Sequence, residues 1–395
     1  MRTESPSIHN RISVAGRLLL DGALVEGAVV VEGDRIVEVR AGASGELPGL
    51  RLDAAIVSPG LIDLQCNGGF GLEVGGDAAA LRGLAAHLPE TGVTAFLPTV
   101  ISSGPPEYRA AAAALAAVRS TLAGATPRAW PAGLHLEGPL LSPARAGAHD
   151  LAAIAAADAT LDDVLEELLA ARAVRVVTLA PERPGAVARI RHLVEAGVAV
   201  SLGHTDAAFE QMLDGVDAGA TLTTHLFNAM SPFHHRTPGA VGAALVDDRL
   251  TVSLIADGVH AHPAALNLAL RAKGADRIAL VTDAVAAAGA PAGTYALGGA
   301  AIVSDGQSAR RADGTLAGST LTLDQAVALM IHLGGARPQE ALTMATAVPA
   351  ARLGLTDRGR LAVGARADLT LWSADLTVVA TILGGTVAFD ARASS

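Results

Sequence analysis

An α/β fold is predicted for this 395-residue chain: a (β/α)8 TIM-type barrel with a small β-sandwich domain built from the N- and C-terminal segments. Three observations predict it. Eight nearly continuous apolar runs of strand length alternate with alanine-rich helical stretches, and eight such units close a barrel. Glu137, His204, His225, His260 and Asp283 each close one of these runs, where the strands of a parallel barrel open on a common mouth. Both chain ends carry short β-like pieces.

In chain order, Val29–Val31 and Ile36–Val39 flank Glu32-Gly33-Asp34-Arg35, a hairpin signal. Strand-like runs follow at Ile56–Gln65, Val93–Val100, Trp130–Glu137, Val174–Ala180, Val198–His204, Ala220–His225, Leu250–Asp257 and Arg277–Asp283. Helical stretches between them include Asp77–Glu90, Glu107–Leu122, Leu161–Arg172, Pro184–Glu195, Ala207–Val216 and Pro263–Lys273. Gly289–Ser319, rich in glycine and alanine, reads as an inserted loop or hairpin, with helices expected at Leu321–Leu333 and Pro338–Leu353. Asp368–Trp372, Thr377–Ile382 and Thr386–Phe389 return to β character. The expected domains are 56–354 for the barrel and 1–55 with 355–395 for the sandwich.

Hydrophobic residues make up 51% of the chain and charged ones 17%, a composition that supports a large core and argues against disorder. The net charge of −10, with no basic block, argues against nucleic-acid binding. Cys66 is the only cysteine, which excludes an intrachain disulfide and a cysteine-rich zinc site and suggests a small packed residue. Lys273 is the only lysine, so a P-loop is excluded, and any Schiff base or carbamylated bridging lysine must be that residue. Met1–Gly16 has no apolar signal core, and no run approaches the roughly 20 residues that span a bilayer. The expectation is a soluble, cytoplasmic protein without a membrane partner.

His135 and Glu137 share a strand face, and Gly138-Pro139 end that strand. One carboxylate and two imidazoles, Glu137, His204 and His225, suit a single divalent ion of the zinc type and leave a coordination position for water. Zn2+ ranks first, and Fe2+, Co2+ or Mn2+ fit the same donors. An isolated strand-end histidine is more often structural; three ligands on three strands favour metal. Asp283 could cap a helix, but the Gly-broken segment after it starts one poorly, and a carboxylate there can take and return a proton. His149 and Arg236 lie in loops and read by themselves as exposed residues. His234 and His235 read as solvated; His9, His87, His192, His262 and His332 have no functional setting. Gly68-Gly69-Phe70-Gly71 fails the G-x-G-x-x-G spacing and is expected to be a flexible loop over the mouth.

Six stretches resemble the N-acetylglucosamine-6-phosphate deacetylases of the amidohydrolase superfamily. They are Ser58-Pro59-Gly60-Leu61-Ile62-Asp63, Gly133-Leu134-His135-Leu136-Glu137-Gly138-Pro139, Gly203-His204-Thr205, Thr224-His225-Leu226-Phe227-Asn228-Ala229-Met230, Ala256-Asp257-Gly258-Val259-His260 and Val281-Thr282-Asp283-Ala284. The resemblance implies Glu137, His204 and His225 as metal ligands, Asp283 as catalytic acid and base, and His260 polarising an acetamide carbonyl. It implies Ala148 and His149 on a sugar, Asn228, Ala229 and Arg236 on its phosphate, and Gln65 and Asp257 among the substrate contacts. Leu316, Ala317, Gly318 and Ser319 match the segment that closes over the ligand. It further implies a homodimer in which Arg236 is contributed to the neighbouring site.

Two departures stand out. Where the superfamily usually places His-x-His for a second metal, this chain reads Gln65-Cys66-Asn67, so one ion per subunit is expected. The loop Ala146-Gly147-Ala148-His149 lacks the lysine that many relatives carry before the glycine, which removes one charge near the phosphate. Rival readings are the same chemistry on N-acetylgalactosamine 6-phosphate or another N-acyl amino sugar phosphate, a cyclic-amide hydrolase, and a non-catalytic binding or assembly barrel. The cyclic-amide reading lacks its His-x-His pair and carbamylated lysine, and the scaffold reading would be expected to have lost its ligands.

Overall fold

The computed structural model describes residues 11–42, 47–121 and 127–394. Most of the polar N-terminal stretch, with His9, and Leu122 at the end of an expected helix lie outside the described residues. Four strands open the described chain: β1 (Arg11–Leu20), β2 (Ala23–Glu32), β3 (Arg35–Ala41) and β4 (Leu50–Pro59). Asp21 and Gly22 turn the first hairpin with φ of 46° and 78°, the type I′ geometry whose twist matches the flanking strands. Gly60 then admits the chain to the barrel, because a Cβ there would sit 2.1 Å from Thr94 Oγ1.

Eight strands follow in sequence: β5 (Leu61–Cys66), β6 (Val93–Ile101), β7 (Leu134–Glu137), β8 (Val174–Leu179), β9 (Ala199–Leu202), β10 (Leu222–Thr223), β11 (Thr251–Leu254) and β12 (Ile278–Leu280). Each pairs in parallel with the next. Asp283 N–H to Gln65 O (2.9 Å) and Asn67 N–H to Ala284 O (2.8 Å) bring the last strand back to the first. Burial of both strand faces explains why these runs are apolar throughout rather than alternating.

The helices are α1 (Ala78–His87), α2 (Pro105–Ser120), α3 (Leu151–Ala170), α4 (Ala186–Glu195), α5 (Phe209–Asp217), α6 (Gly239–Val246), α7 (Pro263–Lys273), α8 (Leu323–His332), α9 (Pro338–Ala345) and α10 (Ala347–Arg352). Helix α3 starts well before the expected Leu161, because the Asp150 side chain caps it by accepting from Ala152 N–H. Helix α6 carries no sequence signal of its own: residues 239–244 are all buried, so no amphipathic period marks it. The helix expected over Pro338–Leu353 breaks at Thr346, since Pro349 has no N–H for the carbonyl of Ala345.

The Gly289–Ser319 insertion folds into a small antiparallel sheet, β13 (Gly293–Leu297), β14 (Ala300–Ser304) and β15 (Ala309–Arg310). After the helices come β16 (Leu369–Trp372), β17 (Val378–Leu383) and β18 (Thr386–Asp390). They join the opening strands in one seven-stranded sheet, β18-β17-β16-β4-β1-β2-β3. Its own core includes Val14, Val29, Ile36, Val57, Leu369 and Ile382. Because β4 runs through residue 55 while pairing with β1 and β16, the two sheets meet at Gly60.

Three expectations on single residues resolve here. Gly68-Gly69-Phe70-Gly71 is not a free flap: Phe70 N–H bonds Ala288 O (2.6 Å) and Gly71 N–H bonds Ala286 O (2.8 Å). Cys66 is buried, and burial pushes its thiol well above the usual range. Lys273 is buried on α7 with Nζ donating to Asp247 O (2.7 Å), outside the barrel mouth. No helix among the described residues is long and apolar enough to cross a membrane.

Asp63 ties β5 to the end of β12. Its Oδ1 accepts Gln65 N–H (3.1 Å) and Thr282 N–H (3.3 Å), and its Oδ2 accepts the Thr282 hydroxyl (2.6 Å). Asp63→Ala should destabilise the fold by about 2–4 kcal/mol in urea denaturation, because buried donors lose their partner. Burial pushes this carboxyl up to about 7 from 3.8. The folded state therefore holds the proton more tightly. The associated stability is full below pH 3.8 and is lost as pH rises through about 7. The stability advantage of wild type over Asp63→Asn should shrink across that window; a constant difference would contradict it.

Candidate active site

At the C-terminal ends of the barrel strands, Glu137, His204 and His225 converge, with one ligand atom from each lying within 4.8 Å of the others. Glu137 Oε1 is 3.0 Å from His225 Nε2 and 3.3 Å from His204 Nε2, and the two Nε2 atoms are 3.1 Å apart. Arg145 O accepts from His204 Nδ1 at 2.8 Å, which leaves the Nε2 lone pair facing the cluster. Two imidazole nitrogens and a carboxylate aimed at one point are the donors a divalent ion takes, so the residues fit the metal expected from sequence. Burial opposes the charge on Glu137, but its contacts with His149, His204 and His225 hold the carboxyl well below its usual range.

Asp283 faces the same cavity. Its Oδ1 accepts Asn67 Nδ2 (2.7 Å) and Gln65 Nε2 (3.0 Å), while Oδ2 makes no hydrogen bond to the described residues. Gln65 Nε2 also donates to Glu137 Oε1 (2.9 Å), so one amide links the two carboxylates. Burial, and then the charge of Glu137, push Asp283 up to about 6. No helix follows Asp283, which removes the capping alternative. His204, His225 and Asp283 have φ of 47°, 30° and 49°, left-handed values that cost of order 1–3 kcal/mol each outside glycine. That strain sits where strand ends turn their side chains into the mouth.

His149 is buried with Nε2 3.6 Å from Glu137 Oε2. Its Nδ1 accepts Ser102 N–H (3.1 Å), so the neutral ring carries its proton on Nε2, toward the cavity. Burial, then His204, push His149 down to about 4. His260 donates Nδ1–H to Asp257 Oδ2 (2.6 Å), and Asp257 Oδ1 also accepts the N–H groups of Val259 and His260. Burial works against the Asp257 charge, yet the His260 bond holds its carboxyl below the usual range.

The cavity, about 320 Å³, is lined by Glu137, Ala148, His149, His204, His225, Asn228, Ala229, His260, Asp283, Leu316 and Gly318 of the residues expected from sequence. Gln65 and Asp257 lie behind this lining and hold Asp283 and His260. Ala317 belongs to one buried cluster with Val285 and Ile302, and Ser319 N–H bonds Asp283 O (2.8 Å), so these two anchor residues 316–319 from beneath. Arg236 is not brought to the cavity: it is exposed, with Nη1 2.8 Å from His235 Nε2. Sequence reasoning missed Arg145, Thr315, Ile101 and Leu297 in the lining and Ser102 behind His149. Ser102 follows a strand run just as Glu137 does, and that rule would have found it. Arg145 orients His204 through a backbone carbonyl, which no residue type announces.

Residues 56–388 match the Amidohydrolase family. The chain belongs to the amidohydrolase family. Among this amidohydrolase's relatives is the N-acetylglucosamine-6-phosphate deacetylase of Bacillus subtilis (strain 168), 39% identical over 85% of each chain. The N-acetylgalactosamine-6-phosphate deacetylase of Escherichia coli O157:H7 is 40% identical, over 82% of this chain and 86% of its own. Among solved structures, a mutant N-acetyl-D-glucosamine-6-phosphate deacetylase of Mycobacterium smegmatis in complex with N-acetyl-D-glucosamine-6-phosphate superposes with a TM-score of 0.88. It is 36% identical, with 96% of this chain and 99% of that one covered.

Proposed function

We propose that this amidohydrolase hydrolyses the acetamide of N-acetyl-D-glucosamine 6-phosphate, releasing D-glucosamine 6-phosphate and acetate. The observation that carries the proposal is the Asp283 carboxylate facing the same cavity as the Glu137, His204 and His225 cluster. When bound, a divalent ion, Zn2+ first among those that fit, supplies Lewis-acid polarisation and lowers the pKa of water from ~15.7 toward ~7.

The chain's own groups do the rest. Asp283 Oδ2, left open while Asn67 and Gln65 occupy Oδ1, accepts a proton from the attacking water. His260, with Nδ1–H held by Asp257, acts with a proton on Nε2 as well and donates it to the acetamide oxygen; a donor aimed at a developing oxyanion is worth about 3 kcal/mol. Asp283 then delivers its proton to the departing nitrogen, which is too basic to leave as an anion. His149 offers Nε2–H and Asn228 its amide to the sugar phosphate. Arg236, exposed in this chain, would meet the phosphate of a partner subunit in a homodimer. A phosphorylated substrate does not cross a bilayer unaided, which supports action in the cytoplasm.

The galactosamine epimer is the second reading, favoured by the Escherichia coli relative. Acetate release should be measured on both phosphorylated epimers and on unphosphorylated N-acetylglucosamine, with metal removed and restored. The expected result is the highest kcat/KM on the phosphorylated glucosamine form, no turnover without metal and recovery on its return. Equal rates with and without phosphate would remove the phosphate contacts, and a preference for the other epimer would reassign the substrate.

A further inference from the structure

At the end of the barrel opposite the mouth, five arginines line a cavity of about 930 Å³ together with Trp130, Val174, Gly197 and Val198. Arg119 lies in the last turn of α2, Arg172 follows α3, and Arg175 lies on β8, while Arg358 and Arg366 belong to the segment leading into β16. No carboxylate is among the lining residues.

Two of the five share one acid. Arg366 Nε is 3.3 Å from Asp368 Oδ1, and Arg358 contacts Asp368 Oδ2; Arg366 also reaches Asp34 (2.9 Å). The other three have no carboxylate partner among the described residues. Arg119 Nε donates to Pro131 O (2.9 Å), and Arg175 Nε donates to Ala132 O (3.4 Å). The Arg358 guanidinium sits 4.6 Å from the centre of the Trp130 ring and that of Arg119 5.9 Å away.

In a chain of net charge −10, three arginines without a carboxylate partner among the described residues, beside two more that share Asp368, leave this hollow with an excess of positive charge. Burial, and then Arg175, lower the Arg119 pKa; burial, and then Arg366, lower that of Arg358. Like charges crowded into a partly desolvated concavity cost free energy unless an anion shares the space. Arginine forks suit the oxygens of a phosphoryl group, each group taking two or more N–H donors.

We propose that this cavity is a second binding site, separate from the active site, for a small metabolite bearing two phosphoryl groups. Arg119, Arg172 and Arg175, which have no carboxylate partner among the described residues, receive one phosphoryl group, and Arg358 and Arg366 offer the other the N–H donors that Asp368 and Asp34 leave free. The ligand thereby bridges the barrel floor and the segment entering the seven-stranded sheet. A single inorganic phosphate would leave one arginine pair unmatched, and the site is a pocket rather than the extended stripe a nucleic-acid backbone requires.

The test is calorimetric titration of the metal-loaded protein with fructose 1,6-bisphosphate and, in parallel, with inorganic phosphate. The expected result is saturable binding of one bisphosphate per chain, at least tenfold tighter than phosphate. Arg172→Gln/Arg175→Gln should weaken it at least tenfold while leaving Tm unchanged without the probe. If the double variant fails to fold, Arg172→Gln alone, altering an exposed side chain, should show the same direction of loss. Undiminished binding in the variants would place the probe elsewhere and overturn the proposal. Equal affinity for the two anions, or no saturation, would overturn it as well.

Discussion

Asp283→Asn is expected to lower kcat by about 10²–10⁴-fold, the span ascribed to a positioned acid and base, while metal content stays at one ion per chain. The substitution is nearly isosteric. Its carbonyl oxygen can keep the hydrogen bonds from Asn67 Nδ2 (2.7 Å) and Gln65 Nε2 (3.0 Å), so the geometry of the β12 end should persist. The lost property is proton acceptance at the oxygen facing the cavity. Because Asp283 must be ionised to accept, activity should rise as pH increases through its pKa. Burial and Glu137 push that value up to about 6, and a bound cation lowers it, so the acid limb of kcat/KM should lie at or below pH 6. In Asp283→Asn that limb should vanish. Near-normal turnover with metal retained would remove Asp283 from the proton-transfer role.

Much of this site was legible because a parallel barrel converts sequence position into spatial position. Glu137, His204, His225, His260 and Asp283 lie far apart in sequence but all line one cavity, since every strand end opens on the same face. The apolar runs before them marked the strands even where few residues pair, as in the two-residue β10 below His225. What stayed hidden depends on backbone groups and burial. The Arg145 carbonyl that orients His204 carries no residue signature, and the Ser102 N–H that fixes the His149 tautomer shows only as a position just past a strand end. Helix α6 was hidden by the burial of all of residues 239–244, which erases the amphipathic period. Gln65 and Asn67 were legible as poor ligands. Their other role, as amide donors holding Asp283, follows only from the meeting of β5 with the end of β12.

His225→Ala should abolish stoichiometric metal binding and reduce acetate release by more than about 10⁴-fold, because the two remaining ligands, Glu137 and His204, no longer close a three-donor set. Its effect must be separable from a general loss of fold. The His225 N–H donates to the Ser253 hydroxyl at 2.7 Å, and this backbone bond should survive the substitution. The metal-free wild type is the matched control. In it, three imidazoles crowd one carboxylate, with His204 Nε2 only 3.1 Å from His225 Nε2. Truncating His225 takes a hydrogen-bond partner from the buried Glu137 carboxylate, so the variant should remain folded but unfold somewhat below the metal-free wild type and further below the metal-loaded protein. Added metal should raise Tm in wild type only, as expected for a ligand that binds the folded state. Elemental analysis and thermal denaturation with and without added Zn2+ read both effects. A variant that still holds one ion per chain would show that His225 is not a required ligand and would break the link between this cluster and hydrolysis.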